Sequence, residues 1–465
     1  MNMINVRRLA VMTFLGAGML SDISAQDFSL QADTLNEARL PAQWDLQSCI
    51  DYALEQNITI RKNRVTAEST QIDVKTAKAA LFPSLSFSTS QQVVNRPYQE
   101  TSSRVSGSEI ISSNSKTSYN GNYGLNASWT IYNGSKRLKT LKQERLNNQV
   151  AELDIATSEN TIKESIAQIY IQILYAAESV RVNENTLQVS IAQRDRGQEL
   201  LNAGSIAKSD FAQLEAQVST DRYQLVTAQA TLQDYKLQLK QLLELDGENE
   251  MNVYLPKLSD ENVLAPLPAK KDVYVSALAI RPEIEASKLN VEASELGIDI
   301  AKSSYFPTIS LSAGIGTNHT SGSDFTFGEQ VKNGWNNSFG LSVSVPIFNN
   351  RQTKSAVQKA KLQRETNMLS LLDEQKALYK TIESLWLDAN SAQQRYAAAN
   401  EKLRSTQISY DLISEQFNLG MKNTVELLTE KNNLLQAQQE QLQAKYMAIL
   451  NTQLLKFYQG DKLTL

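Results

Sequence analysis

YNGNYGLNASWTIY, Tyr119 to Tyr132, is the stretch whose alternation decides the architecture. Its odd positions include Tyr119, Tyr123, Leu125, Ala127, Trp129 and Ile131, and its even positions Asn120, Asn122, Asn126, Ser128 and Thr130. Successive side chains of a strand point to opposite faces, so this pattern predicts a strand with one apolar and one small polar face. Such a strand suits a half-buried sheet, or a wall with lipid on one side and water on the other. Three further stretches alternate in the same way. WNNSFGLSVSVPIF (Trp335 to Phe348) sets Trp335, Phe339, Leu341, Val343, Val345 and Ile347 against Asn336, Ser338, Gly340, Ser342 and Ser344. PSLSFSTS sets Leu85 and Phe87 against Ser84, Ser86 and Ser88, and PTISLSAGIG sets Ile309, Leu311, Ala313 and Ile315 against Ser310, Ser312, Gly314 and Gly316. The tracts between strands, 94–118 and 317–334, are polar and turn-rich and read as loops, with His319 a solvated loop residue.

Outward from the strands, the chain repeats itself. AKAALFPSLSFSTS (Ala77 to Ser90) matches AKSSYFPTISLSAG (Ala301 to Gly314), SWTIYNGSK (Ser128 to Lys136) matches SVPIFNNRQ (Ser344 to Gln352), and LNAGSIAKSDF (Leu201 to Phe211) matches FNLGMKNTVEL (Phe417 to Leu427). Ordered recurrence of three landmarks reads as an internal duplication. The boundaries that follow are a first repeat over 44–246, a linker over 247–271 containing Pro256, Pro266 and Pro268, a second repeat over 272–458 and a C-terminal tail over 459–465. Each repeat reads as helix, strand, loop, strand, very long helix, turn, long helix. The opening helices are expected over Leu46 to Leu81 and Asp272 to Tyr305, ended by Pro83 and Pro307, because proline resists helical continuation.

From Lys136 to about Leu201 there is no proline and almost no glycine, which predicts a rod about 100 Å long at roughly 1.5 Å per residue. Ile166, Ile173, Val180 and Leu187 recur every seven residues, with Ile162, Ile169 and Ala176 beside them. Val218, Leu225, Leu232 and Leu239 do the same, flanked by Leu214, Ala228, Tyr235 and Leu242, and so do Leu428, Leu435, Leu442 and Ile449. These are coiled-coil seams. Gly204 and Gly420 divide the rods, as glycine ends a helix by accepting the left-handed conformation. Asp210 and Glu426 follow near the start of the next helix, where a negative charge is favourable.

Composition narrows function. The net charge of -4 offers no electrostatic case for nucleic-acid binding. Arg7, Arg8 and the apolar run Leu9 to Leu20 read as a signal peptide over 1–25, followed by an N-terminal extension over 26–43. The single cysteine, Cys49, forms no internal disulfide and reads as a packing residue of an amphipathic helix. No HExxH, cysteine pair, Walker sequence, G-x-G-x-x-G before a helix or GxSxG elbow occurs, so the chain reads as non-enzymatic, with no cofactor and no metal. The mature chain has no run of 18 or more apolar residues, so a membrane crossing falls to barrel strands. Four strands are too few, since the smallest membrane barrels have about 8 and open edges are not tolerated in lipid. The membrane reading therefore needs several chains around one axis. A soluble periplasmic coiled-coil structural or adaptor protein is the alternative.

The order of WDLQSCIDYALEQN, A-LFPSLSFS, WTIYNGSKR, LNAGSIAKSDF, RPEI (Arg281 to Ile284), YFPTISLSAG, PIFNNRQ and FNLGMKNTVELLTEKNNL resembles the TolC-like outer membrane efflux protein family over nearly the whole mature chain. The resemblance implies a mainly α fold with a small β part: a homotrimer, four strands per chain in a twelve-strand outer-membrane barrel, continued by a periplasmic helical barrel. It implies a passive exit duct for efflux or secretion, working with a periplasmic adaptor and an energised inner-membrane transporter of the RND or ABC class. It also implies that the helical turns at Gly204 and Gly420 form the gate and the adaptor contact. There Asp210 and Glu426 match acidic family positions, Lys422 a basic one, and Phe417 stands where some members have tyrosine. Thr429 replaces a second acidic residue, so a double acidic ring is not expected. Lys422 and Glu426 are also i,i+4 neighbours able to pair on one helix. Tyr119, Trp129, Trp335 and Phe348 are the candidate membrane-interface aromatics.

Overall fold

The computed structural model describes residues 41–98, 102–106, 109–113, 116–245, 251–256, 263–321, 323 and 325–464. The signal peptide and most of the N-terminal extension lie outside the described residues. The chain divides into two compact units. In the smaller, Trp44 and Val253 form a parallel bridge through Trp44 N–H to the Asn252 carbonyl (2.8 Å) and Tyr254 N–H to the Trp44 carbonyl (2.9 Å). The larger unit carries every helix and strand below.

The first opening helix is two helices, α1 (Leu46–Gln56) and α2 (Ile58–Ala79). The break is at Asn57, whose Oδ1 accepts from Thr59 N–H at 2.9 Å and whose Nδ2 donates to the Leu242 carbonyl at 3.1 Å. An asparagine that caps one helix and ties down another's end ends the run before any proline does. After α2 come β1 (Ser84–Asn95), β2 (Ser102–Ser106), β3 (Glu109–Ser113) and β4 (Thr117–Asn133). The tract expected as a loop thus extends β1 and carries an antiparallel β2–β3 hairpin. Then follow α3 (Lys136–Asn202) and α4 (Lys208–Leu242).

The second opening helix also breaks, into α5 (Lys270–Ile280) and α6 (Pro282–Ser303). Here the cause is Pro282, which holds Arg281 in extended backbone and serves as first residue of α6. Next are β5 (Thr308–Thr320), α7 (Phe327–Asn333), β6 (Asn336–Ser344), α8 (Gln352–Asn418) and α9 (Thr424–Gln459). The second expected loop therefore holds strand and helix. The Thr326 Oγ1 accepts from Glu329 N–H (3.4 Å) and Glu329 Oε2 from Thr326 N–H (2.8 Å), a capping box that starts α7. His319 is not a solvated loop residue either. It lies in β5 with its ring 5.2 Å from Tyr119, 5.9 Å from Tyr123 and 5.0 Å from Phe327. Gly121 opposite leaves it room, since a Cβ there would stand 2.3 Å from its ring. β6 ends at Ser344 instead of running to Phe348, because Pro346 has no N–H for the ladder.

The four long strands form one antiparallel sheet in the order β1-β4-β5-β6. β4 and β5 shift register between Thr130 and Tyr132, so Ile131 is the extra residue of a bulge. The helices pack along the rods. Val273, Ala277, Ile284, Leu378, Ile382, Ala389, Leu455 and Tyr458 make one buried cluster from α5, α6, α8 and α9. Cys49, Ala53 and Ile60 are fully buried on α1 and α2, 224 positions before Val273, Ala277 and Ile284. Burial pushes the Cys49 thiol up to about 12, as befits a packing residue. In α9 the buried row is Leu427 followed by Leu434, with Leu428 and Leu435 half-buried beside it.

Candidate functional site

The sheet gives each strand's alternation a shared face. In register across it lie Ser84, Ser128, Ser312 and Gly340 in one row, and Ser86, Asn126, Gly314 and Ser338 in the next. On the other face run Leu85, Ala127, Ala313 and Phe339, then Phe87, Leu125 and Ile315, with Asn337 as the polar β6 member of that second row. Directly opposed residues in an antiparallel pair share a side, so one face is apolar and the other small and hydrophilic. The apolar face is not covered: Phe87 is 68% exposed, Leu341 66% and Phe339 85%. β1 and β6 are its edges, and neither pairs with a further strand among the described residues.

The four candidate interface aromatics fall at the two ends of this sheet. Tyr119 sits near the loop end of β4, its hydroxyl donating to Gln91 Oε1, and Trp335 immediately precedes β6 at the same end. Trp129 lies toward the helix end, its Nε1 donating to the Leu81 carbonyl at 2.9 Å. Phe348 follows β6 at that end and is exposed.

The two turns are built alike. At the first, Ser205 N–H donates to the Leu200 carbonyl (2.8 Å) and Gly204 N–H to that of Leu201 (3.0 Å); at the second, Met421 N–H donates to the Gln416 carbonyl (2.8 Å) and Gly420 N–H to that of Phe417 (2.9 Å). Both are Schellman closures. They need the left-handed backbone that Gly204 and Gly420 supply at φ of 70° and 75°. Beyond the glycines the turns diverge. Asp210 Oδ2 accepts from Ala207 N–H at 3.4 Å, and Ala207 has no side-chain oxygen to return the bond. In the second turn Asn423 Oδ1 accepts from Glu426 N–H (2.9 Å), Glu426 Oε2 accepts from Asn423 N–H (3.2 Å), and Lys422 Nζ donates to Glu426 Oε1 (2.6 Å). Phe417 is buried within the chain. The structure thus gives Asp210, Lys422 and Glu426 local partners within their own turns.

The bonds to Lys422 and to Asn423 N–H hold the Glu426 carboxyl below the usual glutamate range. A carboxyl whose folded value is depressed contributes stability above its unfolded value, and that contribution is lost as pH falls through the folded value. Protection of the amides at residues 423–426, taken relative to their intrinsic exchange at each pH, should therefore fall on acidification below the ordinary glutamate value. Glu426→Gln should remove that pH dependence of protection, as followed by hydrogen exchange over the acid range.

One polar network has no counterpart among the sequence-based expectations. Lys431 on α9 donates to Asp221 on α4 and to Ser190 on α3, and Ser190 donates to the same Asp221 oxygen. Burial draws the Lys431 ammonium below its ordinary value while Asp221 opposes the shift. A signal for it exists in the sequence. The row Leu214, Ala228, Tyr235, Leu242 skips one step of seven, and Asp221 occupies it.

Comparison with known proteins places this geometry. The profile described as "Outer membrane efflux protein" matches residues 49–244 and 273–460. The outer membrane efflux protein BepC of Brucella suis is 25% identical over 63% of this chain, and the outer membrane protein TolC of Escherichia coli 24% identical over 70%. The aligned part spans 61% and 66% of those two proteins, less than two thirds of either. Among solved structures, the fold is similar to that of CusC (TM-score 0.76, 19% identity, 91% of this chain and 94% of that one). It is likewise similar to that of VceC from Vibrio cholerae (TM-score 0.73, 16% identity, 90% and 97%).

Proposed function

The chain belongs to the outer membrane efflux protein family, and we propose that three copies of it close one twelve-strand barrel, continued by a periplasmic tunnel of helices, to form a passive exit duct. It is an outer-membrane protein whose helices extend into the periplasm. The observation that carries the proposal is the sheet: four strands, two edges unpaired among the described residues, and an apolar face left bare. An open edge in lipid leaves backbone groups without partners, and β1 of one chain against β6 of the next satisfies both. Among the described residues no helix is long and apolar enough to cross a membrane, so the sheet is the part suited to the bilayer. A soluble coiled-coil protein would leave that apolar face in water.

Further features support ring closure. α2 exposes Ile58, Val65 and Ile72 at intervals of seven, and α8 exposes Leu362 and Leu369 at the same interval. Such stripes fit coiled-coil contact with neighbouring chains. The spans of α3 and α8 are each 67 residues and begin 216 positions apart, which supports reading 44–246 and 272–458 as two repeats and the tunnel wall as nearly sixfold. The two distal turns are then the gate and the adaptor-contact surface, with Gly204, Asp210, Phe417, Gly420, Lys422 and Glu426 at it. In this reading an adaptor and an energised RND or ABC transporter supply direction and energy to the passive duct. Tyr119 with Trp335, and Trp129 with Phe348, are its two interfacial girdles.

Reconstitution of the full-length protein into planar bilayers tests this reading. Discrete, long-lived conductance steps are the expected result. A protein that remains in solution without detergent and produces no steps refutes it.

A further inference from the structure

β5 runs further toward the loop end of the sheet than β6 does. Its ladder with β6 stops at Gly316, opposite Asn336, while β5 itself continues to Thr320. Beyond that point α7 packs against β5. Thr317 Oγ1 donates to the Val331 carbonyl at 2.7 Å, and Thr320 N–H donates to Gln330 Oε1 at 2.8 Å. The return to β6 passes Gly334, where a Cβ would stand 2.6 Å from Asn318 Oδ1 and 2.9 Å from the Gln330 carbonyl. The absence of a side chain there lets the end of α7 sit tight against the strand.

The register decides which side of the sheet α7 occupies. Ile315 lies opposite Leu125 on the apolar face, and further along β5 Thr317 lies opposite Tyr123 and His319 opposite Gly121. Alternate residues of a strand share a face, so Thr317 and His319 belong to the apolar side. Both reach α7 through their side chains: Thr317 bonds Val331, and the His319 ring stands 5.0 Å from that of Phe327. α7 is therefore folded down over the apolar face, opposite the polar row that holds Asn122 and Asn318. The His319 ring, beside Tyr119 and Tyr123 in the space left by Gly121, is the seat on which Phe327 rests. Around that seat the aromatic groups are bare, Phe325 being 58% exposed and Trp335 57%. Glu329 and Lys332 are exposed between them. Rings and charges side by side on one short segment suit the boundary between lipid headgroups and acyl chains.

We propose that α7 lies outside the barrel wall, in the headgroup–acyl boundary of the outer leaflet, and that His319 holds it there. This placement rests on the apolar face meeting lipid, as in the reading above. It makes the β5–β6 connection a lipid contact, whereas a segment rising into the medium or turned into the lumen would touch none.

Fluorescence quenching on the full-length protein in phospholipid vesicles tests it, with Cys49→Ala as the background and one labelled cysteine at a time. Phe325→Cys reports on α7, Phe339→Cys on the apolar face opposite Ala313, and Asn122→Cys on the polar row near the height of α7. A nitroxide near the lipid headgroup should quench the Phe325→Cys label about twofold more than one near the chain end, as for a segment about 5–10 Å into the boundary. Phe339→Cys should show the reverse order, and Asn122→Cys should respond to a water-soluble quencher only. His319→Ala in the Phe325→Cys protein should transfer its quenching from lipid to water. His319→Phe, which keeps a ring beneath Phe327, should retain the lipid quenching. Suppose Phe339→Cys is quenched from lipid while Phe325→Cys answers only to the water-soluble quencher, or is shielded from every quencher as in a seam between subunits. Either result overturns the placement of α7 and leaves the barrel reading standing. If Phe339→Cys also escapes lipid quenching, the barrel reading falls with it. Unchanged lipid quenching in His319→Ala overturns the part given to His319.

Discussion

Leu125→Arg is expected to abolish the assembled barrel while leaving the helical part folded. Leu125 stands in the middle of β4, directly between Phe87 on β1 and Ile315 on β5, on the apolar face. If that face meets lipid, an arginine there costs about 2–4 kcal/mol near the membrane midplane. Each of three copies would bear that cost, and neither neighbouring side chain offers a counter-charge. Asn126→Arg, one residue along, points to the row of Ser86 and Gly314 instead. That variant should assemble normally and change ion selectivity, because its charge enters the aqueous side. The check is the fraction of heat-resistant oligomer on a gel for the two variants side by side. Equal assembly would mean that the faces are not lipid and water.

Arg281→Ala should destabilise the helical part by about 3 kcal/mol, within the range for breaking a buried pair. The Arg281 side chain is 5% exposed and pairs with Glu164 on α3 at 2.6 Å. Its guanidinium lies 3.7 Å from the centre of the Tyr458 ring on α9. It thus joins the α5–α6 break to helices from both halves of the chain. Tyr458 is pushed up to about 12, first by burial and then by Glu164, with Arg281 opposing. Arg281→Lys should recover only part of the loss, since an ammonium cannot both stack on the ring and reach the carboxylate as a planar fork does. Thermal unfolding of the three proteins in the same detergent measures the ranking.

What was legible in the sequence followed from periodicity, which is a local property. The rods α3 and α8, the alternation of Leu125, Ala127 and Trp129 against Asn126 and Ser128, and the paired Gly204 and Gly420 turns could all be read because each residue's neighbours in sequence are its neighbours in space. The helix breaks divided along the same line. Arg281–Pro282 carries a marker visible in the sequence, the proline itself, whereas Asn57 acts through Leu242, 185 residues away. The α7 capping box was present as Thr326 to Glu329, hidden inside a tract dense in Gly and Ser. His319 looked solvated because its ring partners Tyr119 and Tyr123 come from another strand. Lys431 showed the same limit: a lysine among Gln and Asn reads as surface until Asp221 and Ser190, more than 200 positions earlier, are brought to it. At the turns, Asp210, Lys422 and Glu426 were legible as helix-start charges.

The most direct measurement of the central claim is the mass of the detergent-extracted, full-length protein by native mass spectrometry, with single cysteines placed on β1 and β6 to capture edge contacts. Three copies per particle, with β1-to-β6 crosslinks formed only between chains, is the expected result. A monodisperse single chain, or crosslinks confined within one chain, would contradict it.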